Sequence, residues 1–471
     1  MDVLPMSQLS QYLAQNQFCV LVEYLSSSKK IFTVPEQFAG FPVCMTLADR
    51  VHSDTDLPPL DVAKRYPKEV EKLLHFAGKG RDIADFENFL IQAKQNGYQN
   101  LLLLTGDKLK QHQFGDVQQP RTRYLESVNA VMAAKKVGGF HVGVAFNPFK
   151  YAEAEQDAQY YKLRKKIKAG ADFIITQLGY DISALKQAKD FLNQQAYSPK
   201  ILACVMPLTL ARAKFMLKHH VAGIVITPHM LQVLQQENDA GLTDRVYLRC
   251  ALQILLCKHL GYAGIHLSAC HQPEEQIRLQ SYIEEYRDLD FDACLLLWNS
   301  LWNVTTGHEF FPELIHYSRP VSSGQILKYQ HLSFMHDAFF DSKMAKGIGR
   351  FIFQSKVWNK SVAAHALLKS EFLSKHSVVG CESCGQCRLG ETLYICPETC
   401  PKGLANGPCG GTHLDRCEFG DRECIHSVKA RLAKAVKQTE ILKTKLIPAV
   451  SIETRGTSSW KNWFIDATEE V

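Results

Sequence analysis

The chain has 471 residues, 46% of them hydrophobic and 22% charged, with a formal net charge of +6 at pH 7. This composition excludes a disordered chain, and the length provides for a large core and two or three domains. No apolar run reaches membrane-spanning length, and so modest a charge at this size gives no argument for a nucleic-acid partner.

The opening segment, MDVLPMSQLSQYLAQNQ, is polar and lacks a basic start, which predicts no secretion signal and a reducing, cytoplasmic setting. Eight β-rich runs alternate with helical stretches: FCVLVEY from residue 18, FPVCMTL from 41, EKLLHFA from 71, NLLLLTG from 100, FHVGVAF from 140, DFIITQL from 172, KILACVM from 200 and AGIHLSA from 263. That alternation predicts an α/β fold, a (β/α)8 TIM barrel, over residues 1–300. A further run, AGIVITP from 222, offers a strand in a different order. Between the runs, Ile83, Phe86, Leu90 and Ala93 form one helical stripe before Gly97, and Tyr160, Leu163 and Ile167 another before Gly170.

Beyond residue 300 the pattern becomes helical, with ILKYQHLSFMHDAFF and AAHALLKSEFLSKH, and residues 301–380 read as a connecting module. Residues 381–471 then hold Cys381, Cys384, Cys387, Cys396, Cys400, Cys409, Cys417 and Cys424. Spacing of this kind marks a metal-binding module: a ferredoxin-like run for 4Fe-4S clusters, or paired thiolates for zinc, with disulfides as the third reading. Gly385, Gly403, Gly407, Gly410 and Gly411 are expected to let the backbone wrap an ion. A last basic helix carries Val428, Leu432 and Val436 as its apolar stripe, with Lys429, Arg431, Lys434, Lys437, Lys443 and Lys445 on a solvated face or a landing patch for an acidic redox partner.

In a parallel barrel, chemistry gathers where strands end. Glu23, Asp107 and Gln177 stand at such ends. An acid emerging from an apolar strand into a semi-enclosed mouth is held toward its protonated form and can serve as a general acid. Gly106 permits close approach of a flat ligand, and His75 reads as a ligand donor or a satisfied core histidine.

Taken together, Glu23, HFAGKGRD, LTGD, KLRKKIKAGADFIITQLGYD and VMPLT, in that order, resemble methylenetetrahydrofolate reductase, a flavin-dependent barrel family, over about residues 15 to 275. The tail, with CGQC, CPKGLANGPCGG and CIHSVKARL, is similar to the C-terminal module that accompanies some of these reductases. The resemblance implies a folate or related pterin substrate, with Glu23 as general acid, Asp107 beside flavin and pterin, and Gln177 on the substrate. It implies FAD or FMN contacts at Thr46, His75, Gly106, Asp107, Ala145, Asn147 and Lys166. NAD(P)H or a ferredoxin-like protein would donate electrons, and a homo-oligomer or larger complex is expected. Alternatives are a flavin-free pterin methyl-transfer component and a non-catalytic scaffold with structural zinc. The chain departs from the family pattern at YLSSSKK after Glu23, at Thr105 in place of an arginine, at Gln159 and Lys162 in place of ribityl contacts, and at His271 in place of a basic folate contact.

Overall fold

The computed structural model describes residues 6–24, 31–49, 56–108, 124–305 and 319–465. Most of the YLSSSKK segment lies outside them.

Nine strands form one sheet that closes on itself: β1 (Cys19–Tyr24), β2 (Gln37–Phe38), β3 (Phe41–Leu47), β4 (Lys72–Ala77), β5 (Asn100–Leu104), β6 (His141–Phe146), β7 (Phe173–Thr176), β8 (Lys200–Val205) and β9 (Gly264–Leu267). Only β2 is antiparallel, folding back on β3. The others run parallel, and β1 joins the ends by pairing with both β3 and β9. These are the eight runs expected, in the expected order. AGIVITP is not among the strands, since residues 222–227 are irregular chain leading into the helix Pro228–Asp239. Its apolar residues pack on the core from outside the sheet, which a short hydrophobic run cannot reveal by pattern alone.

Strands buried on both faces explain the near-continuous apolar runs: every residue of β4, β7 and β9 is buried. The surrounding helices follow their stripes. In Ile83–Gln95, Phe86, Leu90 and Ala93 are fully buried, Asp82 caps the start through a reciprocal bond with Asp85, and Gly97 takes a φ of +77° just past the end. Ile83, counted on that stripe, is instead exposed at the first turn.

After the barrel come the helices Ser323–His336, Lys343–Phe353 and Ser361–Val379, then a cysteine-bearing stretch of turns, then the helix Ile425–Ala435. The basic tail is two helices, not one, because Lys437 adopts a φ of +55° and the chain restarts at Thr439–Thr444. Lys429, read as part of a solvated face, is buried, and the first tail helix packs across the barrel helix Glu153–Lys168 through Ala154, Ala158 and Ala430. Small side chains let the two helices approach closely. Lys434 joins them at the rim by pairing with Glu153 and Asp157.

Barrel closure is tight at β9. A Cβ on Gly264 would lie 2.2 Å from the Cys19 carbonyl oxygen of β1. Gly264→Val is therefore expected to cost about 1–3 kcal/mol or more through overpacking, seen as a lower urea midpoint at unchanged m-value.

Candidate active site and metal centres

At the C-terminal mouth, the ends of β1, β3, β4, β8 and β9 bring a set of polar groups together. Glu23 sits in register with Thr46, and Ser268, just past β9, donates to Glu23 Oε2 at 2.7 Å. The Cys204 thiol lies 3.9 Å from Ser268 Oγ and 3.6 Å from His266 Nδ1. Thr46 Oγ1 and His75 Nε2 are 2.6 Å apart. Burial holds both His75 and His266 well toward the neutral imidazole and pushes the Cys204 thiol up to about 12. The floor of the mouth is thus polar but uncharged around one carboxyl group, Glu23. Gln177 is nearby in the fold, with its Oε1 accepting from Leu178 N and its Nε2 donating to Ala222 O.

Asp107 belongs to the other side of the mouth. Gly106 takes a φ of +86° to turn the chain out of β5, and its carbonyl accepts from Lys402 Nζ at 2.7 Å. Lys402 also pairs with Glu418 at 2.6 Å, while Glu418 accepts from Lys108 N and lies 3.3 Å from Cys409 Sγ. Asp107 keeps an open face to solvent, yet burial against these neighbours raises its carboxyl above the usual range; Lys402 opposes the rise and Glu418 adds to it.

The stretch Lys402–Thr412 is held along the barrel by side chains from β6 and the helix after it. Asn147 Nδ2 donates to Gly410 O and Gly223 O, Lys150 Nζ to Gly410 O and Thr412 O, Gln159 Nε2 to Cys409 O, and Lys162 Nζ to Gly407 O. Glu126 anchors the same stretch: its Oε2 accepts from Ala405 N, Asn406 N and Asn406 Nδ2, and its Oε1 pairs with Lys162 at 2.8 Å. Burial alone would raise the Glu126 carboxyl, but Lys162 and Asn406 outweigh it and hold the group below its usual 4.5. Gly407 was read as wrapping an ion; in the fold its missing side chain lets it abut Lys162, whose Cβ would lie 2.6 Å from an added Cβ.

Of the positions at which the resemblance implies flavin contacts, Thr46 and His75 bond to each other, Lys166 Nζ donates to Ala145 O at 2.5 Å, Gly106 O takes Lys402, and Asn147 takes the module. Both amide hydrogens of Asn147 are used.

The eight module cysteines fall into two groups of electrostatic neighbours. Cys381, Cys384, Cys387 and Cys396 form one, and Cys400, Cys409, Cys417 and Cys424 the other. The first four line one small cavity together with Lys375, Val379, Arg388 and Pro397. In both groups the backbone two residues on works against burial and lowers the thiol: Ser383 for Cys381, Gln386 for Cys384, Glu398 for Cys396, Gly411 for Cys409, Phe419 for Cys417 and His426 for Cys424. This favours thiolate over thiol, although burial pushes Cys396 and Cys409 up to about 12 in the absence of a cation.

Lys429 lies close to both groups. It is buried, its ammonium has no hydrogen-bond partner, and it neighbours Cys396 from one group and Cys400 from the other. Burial lowers it to about 8, and it lowers the buried Lys165, held at about 7, in turn. An unpaired buried ammonium costs several kcal/mol, and a metal–thiolate centre, which carries net negative charge, removes that cost. Glu126, Lys150, Lys402, Glu418, Ser268 and Lys429 were not singled out for these roles from sequence; each acts through a partner far along the chain.

A family model for methylenetetrahydrofolate reductase matches residues 48–278, and a second, for the methylene-tetrahydrofolate reductase C terminal, matches 362–453. Over these residues the chain matches the methylenetetrahydrofolate reductase family and its C-terminal module. It is 25% identical over 200 residues to methylenetetrahydrofolate reductase 1 of Schizosaccharomyces pombe, covering 42% of this chain and 32% of that protein. Methylenetetrahydrofolate reductase 2 of Saccharomyces cerevisiae is 26% identical over 175 residues, covering 36% and 29%. Methylenetetrahydrofolate reductase (NADH) 1 of Arabidopsis thaliana is 28% identical over 166 residues, covering 32% and 27%. The chain thus spans about a third of the length of the curated relatives it matches. Among the described residues, no helix is long and apolar enough to cross a membrane.

Lys162→Met, which leaves Glu126 buried without its cation, is expected to lower stability by about 3–5 kcal/mol in urea unfolding, and Glu126→Gln/Lys162→Met by less. Because the folded-state pKa of Glu126 is depressed, its contribution is present above the usual 4.5 and disappears as pH falls through the lower folded value. Acid titration of the wild-type chain should therefore release the 402–412 segment to proteolysis as pH falls below 4.5 and through the lower folded value, with Glu126→Gln showing less of this dependence.

Proposed function

We propose that the chain interconverts 5,10-methylenetetrahydrofolate and 5-methyltetrahydrofolate, with the pterin at the barrel mouth and metal in the cysteine-rich module. The observation that carries the reading is Glu23, a carboxyl group fixed by Ser268 at the end of β1 within an otherwise uncharged polar floor. Opening the five-membered ring of the methylene form leaves an electron-poor iminium and a nitrogen that must gain a proton. Glu23 supplies that proton, and takes it back in the reverse direction. With Ser268 bonded to Oε2, Oε1 is the oxygen left for the exchange.

Across the mouth, Asp107 in its charged form favours the iminium, and Lys402 favours that charged form. Gln177 presents an amide for the substrate. The two electrons consumed by reduction come from NAD(P)H or a ferredoxin-like protein, in a cytoplasmic setting where a redox partner or a second copy docks on the chain.

Cys381, Cys384, Cys387 and Cys396 would hold one metal centre, and Cys400, Cys409, Cys417 and Cys424 a second. The C-x2-C-x2-C run at Cys381, Cys384 and Cys387 supports iron–sulfur over zinc. Such clusters supply one-electron transfer when bound.

Glu23→Gln is expected to lower folate turnover by about 10²–10⁴-fold with binding of 5-methyltetrahydrofolate retained; unchanged turnover would remove Glu23 from its role. In anaerobic preparations, Cys384→Ser and Cys417→Ser should each lose about half the iron found in wild type, and their double variant nearly all. Zinc at two equivalents in place of iron would overturn the iron–sulfur assignment.

A further inference from the structure

We infer that the Lys402–Thr412 segment is a permanent occupant of the barrel face on which a flavin dinucleotide would lie, so that this chain takes no FAD there. The inference uses the family match to locate that face and does not depend on the folate reaction itself.

The segment approaches as a row of acceptors. The carbonyls of Gly407, Cys409, Gly410 and Thr412 are received by Lys162, Gln159, Asn147 and Lys150, the kinds of donor that grip phosphate oxygens. Backbone oxygen thus stands in for the oxygens of a cofactor. The donors have little left to offer: Asn147 has spent both amide hydrogens, and Lys150 donates to Gly410 and Thr412 while its charge pairs with Glu155.

Nor is there space between segment and barrel. A Cβ on Gly407 would meet Lys162 Cβ at 2.6 Å, and one on Gly223 would meet Gly410 O at 2.3 Å. Gly407 has a φ of +149°, a conformation that other residues rarely adopt, so the glycine of NGPCGG serves both the path of the segment and its contact with the helix. The segment is tied down at its start, middle and end. Lys402 holds Gly106 and Glu418, Asn406 is bonded to Glu126 and, through both the NH2 and the oxygen of its side-chain amide, to Ile447, and Lys150 donates to Thr412 O. A loop poised to leave would carry exposed, poorly partnered backbone; this one is bonded along its length to buried groups.

The full-length chain, purified anaerobically, should release no stoichiometric FAD on denaturation, and FAD added to it should show no saturable binding below about 100 µM. Hydrogen exchange followed by mass spectrometry should show the amides of 402–412 protected, with the same protection when FAD or FMN is present. Binding of FMN alone, with that protection intact, agrees with exclusion of the dinucleotide. Stoichiometric FAD, or loss of protection over 402–412 on binding either flavin, would overturn the inference. Fluorescence titration with 5-methyltetrahydrofolate tests the folate reading separately: binding of folate without FAD supports both, and binding of neither leaves the exclusion standing while removing the folate site.

Discussion

The contact on which the rest depends is the buried pairing of Glu126 with Lys162. Each of these residues would be costly inside the protein alone. Together they form a hub, since Glu126 also receives the Ala405 and Asn406 amides and Lys162 also reaches the Gly407 carbonyl. Turn-rich chain has no ladder of its own to satisfy its polar backbone groups, so it is buried only where another surface answers them. The barrel helix Glu153–Lys168 and the start of the helix Ser127–Val137 provide that surface, and the cysteine-rich module takes its form against it.

Two consequences follow for chemistry. Cys400 and Cys409 lie at or beside the docked segment, so the second group of thiols is held at the barrel mouth, with Cys409 reaching Glu418 and Glu418 reaching Lys402 and the chain beside Asp107. The first group is farther along, enclosed by the helix Ser361–Val379 through Lys375 and by Ser459. The mouth itself is divided: a barrel half, with Glu23, Ser268, Thr46 and His75, and a half shared with the module, with Asp107, Lys402 and Glu418. In the proposed reaction, proton handling belongs to the first half and charge balance to the second.

The same physics explains Lys429. A helix beginning at the last cysteine and packed on the barrel has an inward face, and its lysine enters a space between the two sulfur groups where no carboxylate answers it. Buried cations collect here, with Lys162, Lys165 and Lys429 near one another, and Glu126 balances only part of that charge. The metal–thiolate centres proposed above would complete the balance.

By itself, the sequence determined the barrel, because strands buried on both faces must be continuous apolar runs and helices on their flanks must carry apolar stripes, and both patterns are local. It also marked the tail as a cysteine cluster with metal-ligand spacing, and it pointed to Glu23 and Asp107 as residues at strand ends. Only the tertiary structure decided that AGIVITP is packed loop, that Lys429 is buried, that Ser268 holds Glu23 across 245 positions of chain, and that the glycines of NGPCGG meet the barrel. Those outcomes rest on hydrogen bonds and steric contacts between residues far apart in sequence, as with Asn406 and Glu126, 280 positions apart, and no local periodicity records which partner will answer a buried polar group.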